Sequence, residues 1–146
     1  MRYLILAALL ALTFSCSQGH LFVTTRYLDH SYLASSHVGT PDPRQCAPFC
    51  GQELIIHWDL PPAYMACEKL HFLLFVRFGN ATQEIVKIPI ARSRGNYVYR
   101  LLNAAYRQRG GIATYKVEVR SDEWVLETWT HQVWTELIEI PICPKE

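Results

Sequence analysis

The sequence lacks an apolar run long enough to cross a membrane. A transmembrane helix needs about 20 apolar residues, whereas residues 3–14 form a run of roughly a dozen that stops at Ser15. The longest later run, residues 72–76, is interrupted by Arg77. We therefore expect no membrane-spanning helix.

An excess of charge of either sign is also missing. The chain carries 14 Lys and Arg and 13 Asp and Glu, and it becomes formally neutral when Arg2 is removed with the amino-terminal segment. Domains that bind nucleic acid are usually strongly basic, so we expect no nucleic-acid partner. No acid lies between Glu84 and Glu118, although seven basic residues do. This distribution favours basic strands neutralised by acidic neighbours over a basic patch that binds an anionic partner.

Sequence motifs of common catalytic sites are absent as well. The chain contains no G-x-S-x-G nucleophile motif, no glycine-rich phosphate loop and no H-E-x-x-H zinc motif. None of its six histidines pairs with another at the spacing of a zinc site. We therefore predict no catalytic residue, no metal site and no cofactor, and we expect that the protein is not an enzyme.

The first 15 residues have the features of a signal peptide. Arg2 precedes the apolar run, and small or polar residues follow it as far as Gly19. Cys16 directly follows the small Ser15, which fits the permissive form of a bacterial lipoprotein signal. In such a signal the cysteine thiol is lipidated and the cysteine becomes the new amino terminus. We therefore predict lipidation of Cys16 and a membrane anchor.

A second cut site lies a few residues further on. Ordinary signal peptidase prefers small residues one and three positions before the cut, and Gly19 and Ser17 satisfy that preference. Cleavage after Gly19 would leave His20 first, with an amino group and an imidazole that both bind copper, helped by His30 or His37. Copper enzymes that act on polysaccharides resemble this arrangement. A secreted copper-dependent enzyme is therefore the alternative to the lipoprotein.

The odd number of cysteines supports lipidation of Cys16. An odd count in an exported protein leaves one thiol unexplained, and lipidation leaves four cysteines for two disulfides in an oxidising compartment. We expect Cys46 and Cys50 to pair with Cys67 and Cys143, because closing a long loop constrains the unfolded chain more than closing a short one. The sequence does not select among the pairings. A redox role for Cys46 and Cys50 is disfavoured, since three residues separate them and a strand follows.

Glycine and proline divide the chain into a lead-in and a domain. Residues 16–50 are polar and broken by prolines, which predicts an extended lead-in with at most one edge strand at residues 20–28. Further on, seven short strands separated by turn signals predict an all-β fold, a single antiparallel β-sandwich of the immunoglobulin-like or fibronectin type III-like kind. This domain is expected over residues 51–142, with a tail at 143–146. A helical candidate at residues 101–107 is too short to change the class.

Three tryptophans recur every five positions near the end of the predicted domain, at Trp124, Trp129 and Trp134. On strands this spacing alternates faces, so at least one ring should lie outside the core unless a turn intervenes. Strands are expected here at residues 124–130 and 132–140. The polar residues around each ring favour rings that cover a sheet edge over rings that anchor a partner.

Two short stretches resemble known modules. GQELIIHWDLPP (residues 51–62) and TYKVEVRS (residues 114–121) resemble the tryptophan and tyrosine strands of fibronectin type III modules. The whole chain, including YLASSHVGTPDPRQ (residues 32–45) and HQVWTELI (residues 131–138), resembles a family of small exported lipoproteins of chlamydiae. This second resemblance implies a bacterial envelope location and supplies no catalytic residues.

The expected protein is a non-enzymatic lipoprotein of a bacterial cell envelope, attached to a membrane through Cys16; secretion is the alternative. A flexible lead-in of roughly 30 residues would extend several tens of ångströms and hold the domain clear of the membrane. There the domain would bind a protein or a glycan. The fold alone does not establish that task.

Overall fold

The computed structural model describes residues 19–29, 31, 37, 38 and 50–136. The elements with described bounds are, in chain order, β1 (Leu21–Leu28), β2 (Gly51–Asp59), a 3-10 helix (Pro62–Ala66), β3 (Leu70–Phe78), β4 (Gln83–Pro89), β5 (Arg94–Leu102), α1 (Asn103–Arg109), β6 (Ile112–Ser121) and β7 (Trp124–Thr130). One sheet has the order β1-β2-β5 and the other β4-β3-β6-β7. All pairings are antiparallel. This arrangement confirms the predicted all-β sandwich.

The core lies between the two sheets and is built from alternate residues of each strand. Leu54 and Ile56 of β2 and Phe72 and Leu74 of β3 are fully buried, because successive side chains of a strand point to opposite faces. Trp58, in the stretch that resembles a fibronectin tryptophan strand, packs across the core. Its ring centroid lies 5.0 Å from that of Phe72.

The edge strand expected at residues 20–28 is present as β1. It pairs with β2 along its whole length, from Leu21 opposite Trp58 to Leu28 opposite Gly51. Leu21 and Val23 belong to the hydrophobic core. The sandwich therefore includes a strand from the segment that the sequence analysis treats as lead-in.

The strand predicted at residues 132–140 is wrong over residues 132–136, where the chain forms a turn and an irregular segment. The remainder of that predicted strand lies outside the described residues. Trp134 lies on the outer face of β3, where the Arg77 guanidinium is 3.9 Å from its ring centroid and the Phe75 ring meets it edge-on at 6.4 Å. These contacts fold the chain back across the sheet instead of extending it beside β7.

The short helix α1 (Asn103–Arg109) overlaps the helical candidate at residues 101–107. It ends at Gly110, whose φ of 71° is the left-handed conformation that commonly terminates helices. Gly110 N donates to Tyr106 O at 3.0 Å and closes the last turn. In the part of the chain that the structure describes, no helix has the length and apolar content needed to cross a membrane.

The strand pairing places the connections at two opposite ends of the sandwich. At one end Leu21 is opposite Trp58, and Leu70 is opposite Ser121. We call this end the entry pole; it comprises residues 19–22, 58–70, 90–95 and 121–125. The other end, the far pole, comprises residues 27–28, 50–52, 78–84 and 102–112.

Candidate functional site

The first described residues fix how the chain enters the sandwich. His20 N donates to Glu127 Oε1 in β7 at 3.1 Å, and Asp59 N in β2 donates to His20 O at 2.9 Å. His20 is therefore bonded to both sheets. The second carboxylate oxygen, Glu127 Oε2, is buried and has no hydrogen-bond partner among the described residues. The Glu127 carboxylate thus retains an acceptor for a further donor at the entry pole.

This fixed entry corrects the expected tether of roughly 30 residues. The apolar side chains of β1 draw the chain into the sheet at Leu21, so only four residue steps separate Cys16 from His20. Fully extended, those four steps span at most about 14 Å. Cys16 itself lies outside the described residues, and its lipidation stays a prediction. If it is lipidated, the entry pole lies next to the membrane and not several tens of ångströms away.

Beside His20 the entry pole has a shallow cleft of about 310 Å³, lined in part by Phe22, His57 and Arg94. Arg94 Nη2 lies 2.5 Å from Asp59 Oδ2. The hydrogen bond from Arg94 lowers the pKa of the Asp59 carboxyl below its ordinary value. The apolar part of the lining comes from the Phe22 ring, 58% exposed, and the Trp58 ring.

A glycine is required at the floor of this cleft. A Cβ atom added to Gly95 would lie 2.6 Å from the Trp58 ring, well inside van der Waals contact. Trp58 is held by a hydrogen bond from its Nε1 to Arg92 O at 3.0 Å. The ring therefore has little freedom to move, and Gly95 provides the space it occupies.

The copper alternative has no supporting geometry in the described residues. His20 N bonds to Glu127 Oε1, whereas His20 Nδ1 lies 3.0 Å from Asp59 O. The two nitrogens that would hold one copper ion thus have different protein partners. The residues described by the structure contain no group of three or more His, Cys, Asp or Glu side chains placed to hold a metal. His37 is exposed, and His30 lies outside the described part.

Trp124 is the most prominent apolar side chain of the entry pole. It begins β7 and is 80% exposed, and the next residue, Val125, is 47% exposed. This confirms that at least one of the three regularly spaced tryptophans lies outside the core. Its exposure favours a ring available to a partner over one that covers a sheet edge.

The other two tryptophans are in contact with neighbouring side chains. Trp129 stacks on Tyr115 with ring centroids 5.4 Å apart and an angle of 10° between the planes. Trp134 lies against Arg77. A shift in register between Val119 and Arg120 interrupts the pairing of β6 with β7. Trp124 therefore does not share the packing of Trp129 although both belong to one strand.

The far pole carries a wider and more polar cleft of about 520 Å³, lined by Phe78, Asn80, Thr82, Gln83, Glu84, Gln108 and Arg109. Asn80 Oδ1 accepts hydrogen bonds from Thr82 N at 3.1 Å and Thr82 Oγ1 at 2.6 Å, which fixes the β3–β4 turn. Arg109 pairs with Glu84 and lies over the Phe78 ring. We call this feature the Asn80 cleft. Its amide, hydroxyl and charged groups provide donors and acceptors on a rigid turn and the end of α1.

The residues of the Asn80 cleft were not identified by the sequence analysis, because they come from separate chain segments that only the fold brings together. The polar residues at 80 and 82–84 are a weak sequence signal for this site. Nothing in the spacing links them to Gln108 or Arg109.

Most basic residues between Glu84 and Glu118 are neutralised by acidic partners. The ion pairs are Arg94 with Asp59, Arg100 with Glu53, Arg109 with Glu84, and Lys116 with Glu118 and Glu136. These pairs support the interpretation of neighbouring basic and acidic strands. They argue against a continuous basic patch.

The two described cysteines form no disulfide with each other and lie at opposite ends of the molecule. Cys50 precedes β2 at the far pole, and Cys67 follows the 3-10 helix at the entry pole. The nine residues of β2 separate them by about 30 Å, whereas a disulfide needs Cα atoms within about 7 Å. A bond between Cys50 and Cys67 is therefore excluded. Pairings with Cys46 and Cys143, which lie outside the described residues, stay predictions.

Comparison with known proteins supplies no relative: no family model, no curated protein and no solved structure matches this chain.

Proposed function

We propose that this protein is a non-enzymatic lipoprotein of a bacterial envelope, anchored through Cys16, that presents its far pole to a ligand. The proposal is supported above all by the fixed entry of the chain, since His20 is bonded to both sheets four residues after Cys16. A lipid on Cys16 would hold the entry pole within about 14 Å of the membrane. Two acyl chains give stable attachment, whereas one chain attaches a protein only marginally.

Intact mass and amino-terminal sequencing of the mature protein from its native host test the anchor. We expect a blocked amino terminus at Cys16 and a mass that includes acyl chains. Cys16→Ser should move the protein from the membrane fraction to the soluble fraction. Ser17→Ala is the matched control, because it retains the cysteine and should leave the protein in the membrane.

A free amino terminus at His20 would overturn the proposed anchor. The new ammonium group would then lie beside the Glu127 carboxylate, whose Oε2 has no other partner among the described residues. That outcome would favour the secreted alternative.

The ligand class that best fits the Asn80 cleft is a glycan. Hydroxyl groups of a sugar both donate and accept hydrogen bonds, and the cleft offers the exposed Gln108 amide. The Thr82 hydroxyl donates to Asn80 and retains its capacity to accept, and the Arg109 guanidinium, paired with Glu84, has further N–H donors. A rigid turn lowers the entropy lost on binding.

A glycan array probed with the soluble Cys16→Ser protein tests this ligand class. Gln108→Ala removes an exposed amide from the cleft and should weaken the best binder by about tenfold, the effect of one lost hydrogen bond. Gln132→Ala removes an exposed amide elsewhere and should have no effect. Absence of binding to every glycan would overturn the ligand assignment but not the anchor.

A further inference from the structure

We infer that the entry pole is a membrane-contacting surface on which Trp124 and the adjacent Val125 lie at the level of the lipid headgroups. This inference rests on the proposed anchor at Cys16. It goes beyond that anchor by identifying the protein side chains that touch the bilayer.

The geometry begins with the bond between His20 and Glu127. β1 and β7 both start at the entry pole, and this bond sets His20 level with Glu127. From Glu127 back to Trp124, β7 projects three residues, or about 10 Å, toward the pole. From His20 back to Cys16 the chain reaches at most about 14 Å in the same direction. An acyl chain on Cys16 and the Trp124 ring can therefore lie at the same depth.

The chemistry of the exposed side chains suits a membrane interface. Trp124 is 80% exposed and Val125 47%. Tryptophan is enriched at the boundary between water and lipid because its ring is apolar while its N–H remains able to donate. The other three tryptophans pack on protein partners, whereas Trp124 has no ring partner among the described residues.

The charges of the entry pole favour apolar contact over attraction to anionic lipid. Lys69 pairs with Asp122 at 3.2 Å, and Arg94 pairs with Asp59 at 2.5 Å. The remaining charged side chains of the pole are Arg92, Glu68 and Glu123. A surface without net positive charge is not attracted by the negative surface potential of anionic lipids. The contact should therefore form on neutral lipid and resist added salt.

Fluorescence quenching by brominated lipid tests this contact. The acylated full chain is reconstituted in phosphatidylcholine vesicles that carry bromine near the headgroup end of the acyl chains. Trp124→Phe should remove most of the bromine-dependent quenching, whereas the matched control Trp134→Phe should retain it. Because Trp124 is exposed, its replacement leaves the core intact.

Each outcome bears on a different step. Quenching that depends on Trp124 and persists at high ionic strength supports the inference. Equal quenching of an acylated wild-type protein and its Trp124→Phe variant overturns the inference and leaves the anchor standing. Quenching that requires phosphatidylglycerol and disappears in salt also overturns it, in favour of electrostatic binding. A protein without acylation at Cys16 overturns both the anchor and this inference.

Discussion

Leu21→Ala should destabilise the sandwich, although Leu21 lies in the segment that the sequence alone marks as a lead-in. Its side chain is 4% exposed and belongs to the hydrophobic core. Buried Leu→Ala substitutions lower the free energy of unfolding by about 2–5 kcal/mol. We expect about 2–3 kcal/mol, because neighbours relax more easily at the end of an edge strand. That loss is a large share of the roughly 5–15 kcal/mol that stabilises a typical domain.

Urea unfolding of the soluble Cys16→Ser protein, followed by tryptophan fluorescence, measures this loss. A dependence on urea of about 1–2 kcal/mol per molar predicts a midpoint lowered by about 1–3 M. Phe22→Ala is the control on the adjacent residue; its ring is 58% exposed, so the free energy should change by about 0.5 kcal/mol or less. Equal shifts for the two variants would refute the packing of β1 against the core.

Three further predictions follow from particular contacts. Gly95→Ala should lower the free energy of unfolding by about 1–3 kcal/mol through overpacking against a tryptophan ring, and an unchanged thermal midpoint would contradict this. Burial and a neighbouring carboxylate raise the pKa of Tyr99 from 10.0 to about 12. Between these pH values the unfolded chain loses the proton that the folded chain keeps, so stability falls as pH rises; Tyr99→Phe should make that fall shallower. Disulfide mapping by mass spectrometry should find no bond between Cys50 and Cys67.

The strands from residue 51 onward are predictable because one face of each sheet packs on the core and imposes an alternating pattern. The run of apolar residues at 70, 72, 74, 76 and 78 matches β3, and the strand expected at 124–130 matches β7. Because burial of one face produces an alternating pattern within each strand, these strands can be found from a single sequence.

Features that depend on contacts between distant chain segments could not be predicted from an alternating pattern. A strand is also predicted at residues 132–140, but the contact of Trp134 with Arg77 turns residues 132–136 across the sheet. Glu127 carries no sequence signal for its bond to His20, since 107 residues separate the two. The same reason explains why the entry pole and the Asn80 cleft emerge only from the fold.

If Cys16 is lipidated as we propose, the sandwich itself, and not the tether, sets the height of the Asn80 cleft above the membrane. β2 runs from the far pole to the entry pole, and its nine residues span about 30 Å. Inserting about ten Gly and Ser residues after Ser17 would add a mean reach of roughly 16–19 Å. We expect the insertion to reduce bromine quenching of Trp124 while glycan binding by the soluble form stays unchanged, because only the link to the membrane is lengthened. Undiminished quenching in vesicles would contradict this expectation. It would show that the entry pole binds lipid by its own affinity and that contact with the bilayer does not depend on a short tether.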